Sequence, residues 1–286
     1  MMSYQAYEPE TLKKLQAVEV EMLKDFASLC EEHGIDYFGI GGTLLGAVRH
    51  QGFIPWDDDI DIGMTVEHYE RFLQVADGAF DGKYKLINFD INNNFPNMFT
   101  KWYKTGTVFR DNDAMAMGYS TGIFIDIFRF DNAPDDGKQL RSQAMKAWIL
   151  SKLFILSLLS NPIIMAYGIK AKVMKLASKI IYRLLKIIRI SPRTLYDKAN
   201  QASLAYEAQE TQRVTYIFDM KPYLNLIKRS DIYPTQFMTF EDIKIRFPHN
   251  PEAYLNVCYG SDYMTLPPED KRHNHPPTEL DFGEEE

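Results

Sequence analysis

Tyr37-Phe38-Gly39-Ile40-Gly41-Gly42-Thr43-Leu44-Leu45-Gly46-Ala47-Val48-Arg49-His50-Gln51-Gly52-Phe53-Ile54-Pro55-Trp56-Asp57-Asp58-Asp59-Ile60-Asp61-Ile62 decides how the chain reads. Tyr37 to Ile40 is a short apolar strand that runs straight into two glycines and a threonine. Thr43 is placed to cap a short helix ending near His50. Gly52 to Pro55 is a turn, and Ile60 to Met64 is a second strand. Side chains two apart on a strand share a face, so Asp59 and Asp61 project together with Ile60 and Ile62 behind them. Adjacent carboxylates repel unless a cation lies between them. All-oxygen ligation of this kind suits Mg²⁺ or Mn²⁺. The Gly41-Gly42-Thr43 turn lets backbone amides approach a phosphate at a helix N-terminus.

Outward from this stretch, Glu10 to Glu32 is expected as an amphipathic helix with Leu12, Leu15, Val18, Met22 and Phe26 on its apolar stripe. Gly34 ends it. Thr65 opens a further helix through Val66, Tyr69, Phe72 and Leu73. Strands are expected at Lys83 to Asn88, at Phe99 to Phe109 with a break at Thr105-Gly106, and at Gly122 to Phe130. In the last of these Asp126 alternates with Phe124 and Phe128, a costly place for a carboxylate unless it is paired or metal-bound. If that strand lies beside the Asp59 strand, Asp59, Asp61 and Asp126 converge. The plainer alternative is an acidic surface turn. Arg141 to about Ala208 reads as helical throughout, Phe240 to Phe247 alternates like a strand, and Tyr254 to Tyr259 is a short helix. The acidic tail Glu284 to Glu286 is expected to be disordered.

The order strand, Gly-Gly-Thr, helix, Asp-x-Asp is that of the nucleotidyltransferase superfamily, and the stretch from Tyr37 to Ile62 closely resembles the signature of the LicD family. That family comprises cholinephosphotransferases and relatives and is similar to the fukutin-related ribitol-phosphate transferases. Ile125-Asp126-Ile127-Phe128 with Asp131, Phe240-Glu241-Asp242-Ile243, Tyr259-Gly260, and Leu266 to Arg272 followed by His275 resemble its later motifs. Arg129 stands where the family often has proline. The resemblance implies an α/β (α+β) fold, a nucleotidyltransferase-like mixed sheet flanked by helices. A helical insertion at 141–208 would divide a core at 1–140 from a part at 209–286 that completes the catalytic domain.

It also implies transfer of phosphocholine or another alcohol phosphate from a CDP-linked donor such as CDP-choline. The acceptor would be a sugar hydroxyl of a surface glycan or its lipid-linked precursor. In that scheme Asp59, Asp61 and Asp126 are catalytic and hold the metal. Gly41, Gly42, Thr43, Arg49 and Arg272 hold the donor; for the two arginines a surface salt bridge is the competing reading. Two other functions remain open: a nucleotidylyltransferase that takes an NTP and releases pyrophosphate, and a membrane-associated scaffold without activity.

The composition narrows the class. Over 286 residues the net charge is −7, which argues against general nucleic-acid binding. Two cysteines, Cys30 and Cys258, form no disulfide framework and suit a reducing compartment. The polar N-terminus, Met1 to Lys14, lacks a secretory signal. Charge is uneven: Arg141 to Tyr196 holds 11 Lys and Arg and no acid, and subtracting those 11 from −7 leaves −18 on the rest. Lys172, Lys175, Lys179, Arg183 and Lys186 share one helical stripe with apolar residues around the remaining faces. This pattern suits a helix lying in an anionic membrane surface, peripherally on the cytoplasmic side. A core helix pair is the other reading. Leu153 to Ile169 is uncharged but too short and interrupted to span.

Further candidates have both sharp and plain readings. Trp56, Trp102 and Tyr103 form either an aromatic box for a quaternary ammonium or ordinary core. Lys101 and Lys104 face donor phosphates or solvent. His273 and His275 are a metal pair or polar surface, and Met115, Met117 and Gly118 are expected in a mobile loop over the site.

Overall fold

The structure is a computed structural model that describes residues 7–162, 168–269, 272, 274 and 276–283. The acidic tail, His273 and His275 lie outside these residues. Helix α1 (Pro9–Glu32) leads to strand β1 (Phe38–Gly39), helix α2 (Gly41–His50), strand β2 (Asp61–Thr65) and helix α3 (Val66–Ala76). A short turn α4 (Ala79–Gly82) precedes β3 (Tyr84–Ile87), β4 (Thr100–Lys104), β5 (Val108–Arg110), α5 (Asn112–Met117) and the ten-residue β6 (Phe124–Ala133). Then come α6 (Gly137–Leu158), α7 (Gly168–Ile188), α8 (Pro192–Ser203), β7 (Arg213–Tyr216) and β8 (Asn225–Lys228). The chain closes with α9 (Arg229–Ile232), β9 (Gln236–Phe240), β10 (Ile243–Phe247), α10 (Pro251–Tyr259) and β11 (Glu279–Asp281).

The main sheet is mixed, in the order β1-β2-β6-β4-β3, with β7 pairing β6 and β8 pairing β7. Only β2 and β6 are parallel in it; the other pairs are antiparallel. This is the α/β mixed sheet flanked by helices that the sequence implies. Length explains why β6 is the hub: its first half pairs β2 and β4 while its last three residues pair β7.

The two faces of the central strands differ by the alternation of their residues. Ile62, Ile125, Ile127 and Trp102 are fully buried on one face. Against them stand Phe26 of α1, Phe72 of α3 and Tyr84 of β3, whose rings lie 6.0, 6.2 and 4.0 Å from that of Trp102. Each such side chain contributes about 1.5–3 kcal/mol by leaving water. The opposite face carries Asp61, Asp126 and Lys101.

Among the described residues, the segment expected to be helical throughout holds three α-helices and a 3-10 turn at Leu204–Tyr206. Asp136 caps α6 by accepting the N–H groups of Lys138 and Gln139 at 3.0 and 2.9 Å. Ser191 caps α8, where Pro192 occupies the first turn, and Arg189 has the positive φ of a chain reversal between α7 and α8. Arg129 ties this region to the sheet: it donates to Asp131 Oδ1 at 2.6 Å and to Asn200 Oδ1 of α8 at 3.0 Å. Phe240 to Phe247 is the second half of a hairpin rather than one strand: β9 ends at Phe240, the chain turns at Glu241, whose φ of 53° no continuous strand allows, and β10 runs from Ile243. The stretch around Met115 and Met117 is the short helix α5, capped by Asp111 and closed by Gly118, rather than a loop. Among the described residues no helix is long and apolar enough to cross a membrane.

Candidate active site

Asp61 and Asp126 lie directly opposite each other in the parallel register of β2 and β6. On the other side of β6, Lys101 of β4 is the register partner of Asp126, and its Nζ donates to Asp126 Oδ1 at 2.8 Å. Both residues are under a tenth exposed. The ammonium stands 3.1 Å from the centroid of the Phe124 ring, so it is held by charge and by an aromatic face together. Lys104, three residues on, falls on the other side of the strand, so of the two lysines only Lys101 faces the acids.

The glycine turn meets these strands through its backbone. Ile40 donates its N–H to Asp61 O at 3.0 Å, and Asp61 donates its own to Thr43 Oγ1 at 2.8 Å. Thr43 is therefore not the cap of α2. Ile40 occupies the cap position without a side-chain bond, and the Thr43 hydroxyl anchors the start of β2. Gly41 has φ +52°, where L side chains are rare, and a Cβ there would stand 2.7 Å from Asp61 Oδ2. A Cβ on Gly42 would collide with Asp57 Oδ2. Both glycines are required for the carboxylates to lie against the first turn of α2, whose leading N–H groups have no partner within the helix.

Helix α1 closes the site from the side. Glu19 is 1% exposed, and among the described residues its Oε2 has no hydrogen-bond partner. Burial, then Asp59, Asp58, Asp57 and Asp126, push its carboxyl well above the usual range. Gln16 donates to the backbone oxygen of Asp57 at 2.9 Å, and burial followed by Asp58 raises the phenol of Tyr7. The stripe Leu12, Leu15, Val18, Met22 and Phe26 does not contain Glu19. Four residues on from Leu15 and three before Met22 lies position 19, so the helical period puts a glutamate at a core position.

Asp61 is pushed up in the same way, first by burial, then by Asp59, Asp126 and Asp57, with Lys101 opposing. Tyr259, at the end of α10, is 44% exposed as a residue, and its phenol is raised first by partial burial and then by Asp61, Cys258, Asp57 and Asp59. On the Asp57 side sit two guanidinium groups. Arg49 donates to Tyr263 O at 3.0 Å; burial lowers its pKa and Arg272 adds to this, while Tyr259 and Asp57 oppose. Arg272 lies 4.7 Å over the ring of Trp56 and donates to Pro267 O at 3.1 Å. The later hairpin props the entrance, since Glu241 Oε1 accepts the Phe53 N–H at 2.9 Å.

Of the residues expected to act together, Asp61 and Asp126 are brought into register. Asp57 and Asp59 couple electrostatically to Asp61, and Arg49 and Arg272 are neighbours. Two others go elsewhere. Trp102 is fully buried in the core, where its Nε1 donates to Ala76 O at 3.0 Å. The aromatic box of Trp56, Trp102 and Tyr103 does not assemble, because Trp102 faces away from the acids. Asp131 is fully buried and bound to Arg129 and Ser203, so it braces β6 rather than serving the site.

Mutual repulsion among oxygen donors, opposed by one lysine, is the electrostatic setting a divalent cation relieves. The donor chemistry fits Mg²⁺ or Mn²⁺. Among the described residues no three His, Cys, Asp or Glu side chains are gathered into a ready cage. Lys101 instead holds one oxygen of Asp126.

Residues 34–158 match the protein-family model described as LicD/FKTN/FKRP, nucleotidyltransferase domain. This segment is a LicD-family domain. The chain is 29% identical over 280 residues to the lipopolysaccharide cholinephosphotransferase LicD of Haemophilus influenzae, covering 93% of this chain and 96% of that protein. Over 47 residues it is 43% identical to the ribitol 5-phosphate transferase FKRP of Homo sapiens, 16% of this chain and 10% of that protein. An uncharacterized protein of Rickettsia prowazekii is 53% identical over 55 residues, 19% of this chain and 21% of that protein. The named relatives are transferases of phosphate-bearing groups, and the LicD-family domain supports a phosphate-group transferase here.

Proposed function

We propose that this protein transfers an alcohol phosphate, phosphocholine or a related group, from a CDP-linked donor to a sugar hydroxyl. The acceptor is a surface glycan or its lipid-linked precursor, and the work is done peripherally at the cytoplasmic face of a membrane. The observation that carries this reading is Asp61 opposite Asp126, with the glycine-led end of α2 against Asp61 and Asp57 and with Arg49 near both Asp57 and Arg272.

In this reading the first-turn amides of Gly41 and Gly42 take the donor diphosphate, assisted by the dipole of α2. Arg49 and Arg272 clamp its outer oxygens. Thr43 acts through Asp61, whose N–H it accepts, and so positions that carboxylate. The acceptor oxygen attacks the phosphorus that bears the alcohol, the bond to CMP breaks, and the acceptor proton passes to Asp126. Mg²⁺ or Mn²⁺ held by Asp59, Asp61 and Asp126 would supply neutralisation of phosphate charge.

The test is mass spectrometry of both products with a CDP-alcohol, acceptor glycan and Mg²⁺. The expected products are CMP and a glycan heavier by the alcohol phosphate. Pyrophosphate from CTP, with no CMP from any CDP-alcohol, would make the protein a nucleotidylyltransferase instead.

A further inference from the structure

Helix α7 is fastened to the body by a narrow inner face and turns a wide apolar one outward. Its buried residues are Ser178 and Leu185, and Leu185 and Ile181 pack with Phe154 of α6 and Leu195 of α8. Ile169, Val173, Leu176, Ile180, Leu184 and Ile187 recur at steps of three and four on the side away from those contacts. All six are exposed, from 49% at Ile180 to 81% at Ile169. Scattered apolar residues on a surface need no explanation, but a continuous row along about five turns does.

The edge of this row is basic. Lys172, Lys175, Lys179, Arg183 and Lys186 run beside it along one flank. Among the described residues none of the five pairs with a carboxylate. The surrounding sequence, Arg141 to Tyr196, contains no acid that would mask them. We propose that α7 is the attachment surface of this protein for an anionic lipid bilayer. It lies in the plane of the interface, with the row from Ile169 to Ile187 in the acyl boundary and the lysine flank among the headgroups. Charge complementarity selects this occupant. A second copy packed through the same face would bring two basic flanks together, which like charges oppose.

The inference stands on the helix and not on the transfer chemistry, so vesicle binding and transfer can each fail alone. The full-length protein is sedimented with vesicles of phosphatidylcholine mixed with phosphatidylglycerol, and with phosphatidylcholine alone, at low and high salt. Wild type should bind the anionic vesicles, release with salt, and ignore the neutral ones. Leu176→Ser, Ile180→Ser and Leu184→Ser together should lower the partition coefficient roughly a hundredfold or more. Lys175→Glu, Lys179→Glu, Arg183→Glu and Lys186→Glu should each lower it about fivefold or more. An Ile180→Trp reporter should shift its emission to the blue with the anionic vesicles, which checks the same face without removing it. Failure of the wild type to bind at low salt would overturn the proposal. So would binding that survives the serine substitutions, or a wild-type dimer in solution that those substitutions dissolve.

Discussion

Helices α1 and α7 are of similar length, 24 and 21 residues, and both repeat apolar side chains at steps of three and four. In α1 that repeat is buried: Leu15, Met22 and Phe26 are fully enclosed, and Glu19 is enclosed with them. In α7 the matching row faces out, and a separate, narrower face makes the contacts with the body. A helix-period pattern therefore establishes which residues share a face, and leaves open what that face meets. The charges tell the two apart. The enclosed stripe of α1 carries its acid into a cluster of acids, whereas the open stripe of α7 is bordered by lysines.

The largest effect is expected at the site that α1 covers. Asp59→Asn, Asp61→Asn or Asp126→Asn should each abolish transfer, since Asn keeps the shape and loses the charge, while circular dichroism reports an unchanged fold. Transfer that survives all three changes removes the site. The same assay on Glu19→Gln sharpens the comparison: Glu19 lies against the acids without being one of the proposed ligands, so its loss should be the milder one. Equal loss would make α1 part of the reacting machinery.

Next in size is Phe26→Ala, which empties the ring position between Tyr37, Phe72 and Trp102. It should cost about 3–5 kcal/mol in urea unfolding. A cost near that of an exposed site would mean that α1 is not seated as described.

Glu19→Gln also tests the electrostatics through pH. The folded protein holds the Glu19 proton more tightly than the unfolded chain, whose glutamates lose theirs near the ordinary value of 4.5. The stability contributed by the protonated form is thus complete at acid pH and lost as pH rises through the raised folded value. Gln mimics the protonated form, so the variant should melt with wild type at acid pH and increasingly above it as pH rises past the ordinary glutamate value. A gap that narrows with pH would reverse the sign assigned to the acid cluster.

The smallest effect belongs to α7. Leu176→Ser or Ile180→Ser should change stability in urea by no more than about 0.5 kcal/mol, as at other exposed positions. A loss of several times that amount would mean the row is covered in solution, and the contrast with α1 would disappear.

Much of the site was legible in order along the chain. Alternation around Asp61 and Asp126 set which side each carboxylate takes, and the residues on their far sides are core as expected. What went unread was set by neighbours distant in sequence. Lys101 is a buried partner of Asp126 only because β4 pairs β6 in a register that places them opposite. Trp102 falls on the core face by the same alternation that gives Lys101 to the acids. Thr43 spends its hydroxyl on β2 rather than on its own helix, because β2 passes within reach.

By itself, then, the sequence determined the local periods, the glycine-led turn, the acidic strands and the basic character of 141–196. These depend on neighbours a few residues apart, where backbone geometry alone decides which side chains share a face. Tertiary structure decided the parallel pairing of β2 and β6, the entry of Glu19 into the acids, and which face of α7 the body covers. Each depends on contacts between segments far apart in the chain, where burial sets what a charge or an apolar side chain is worth.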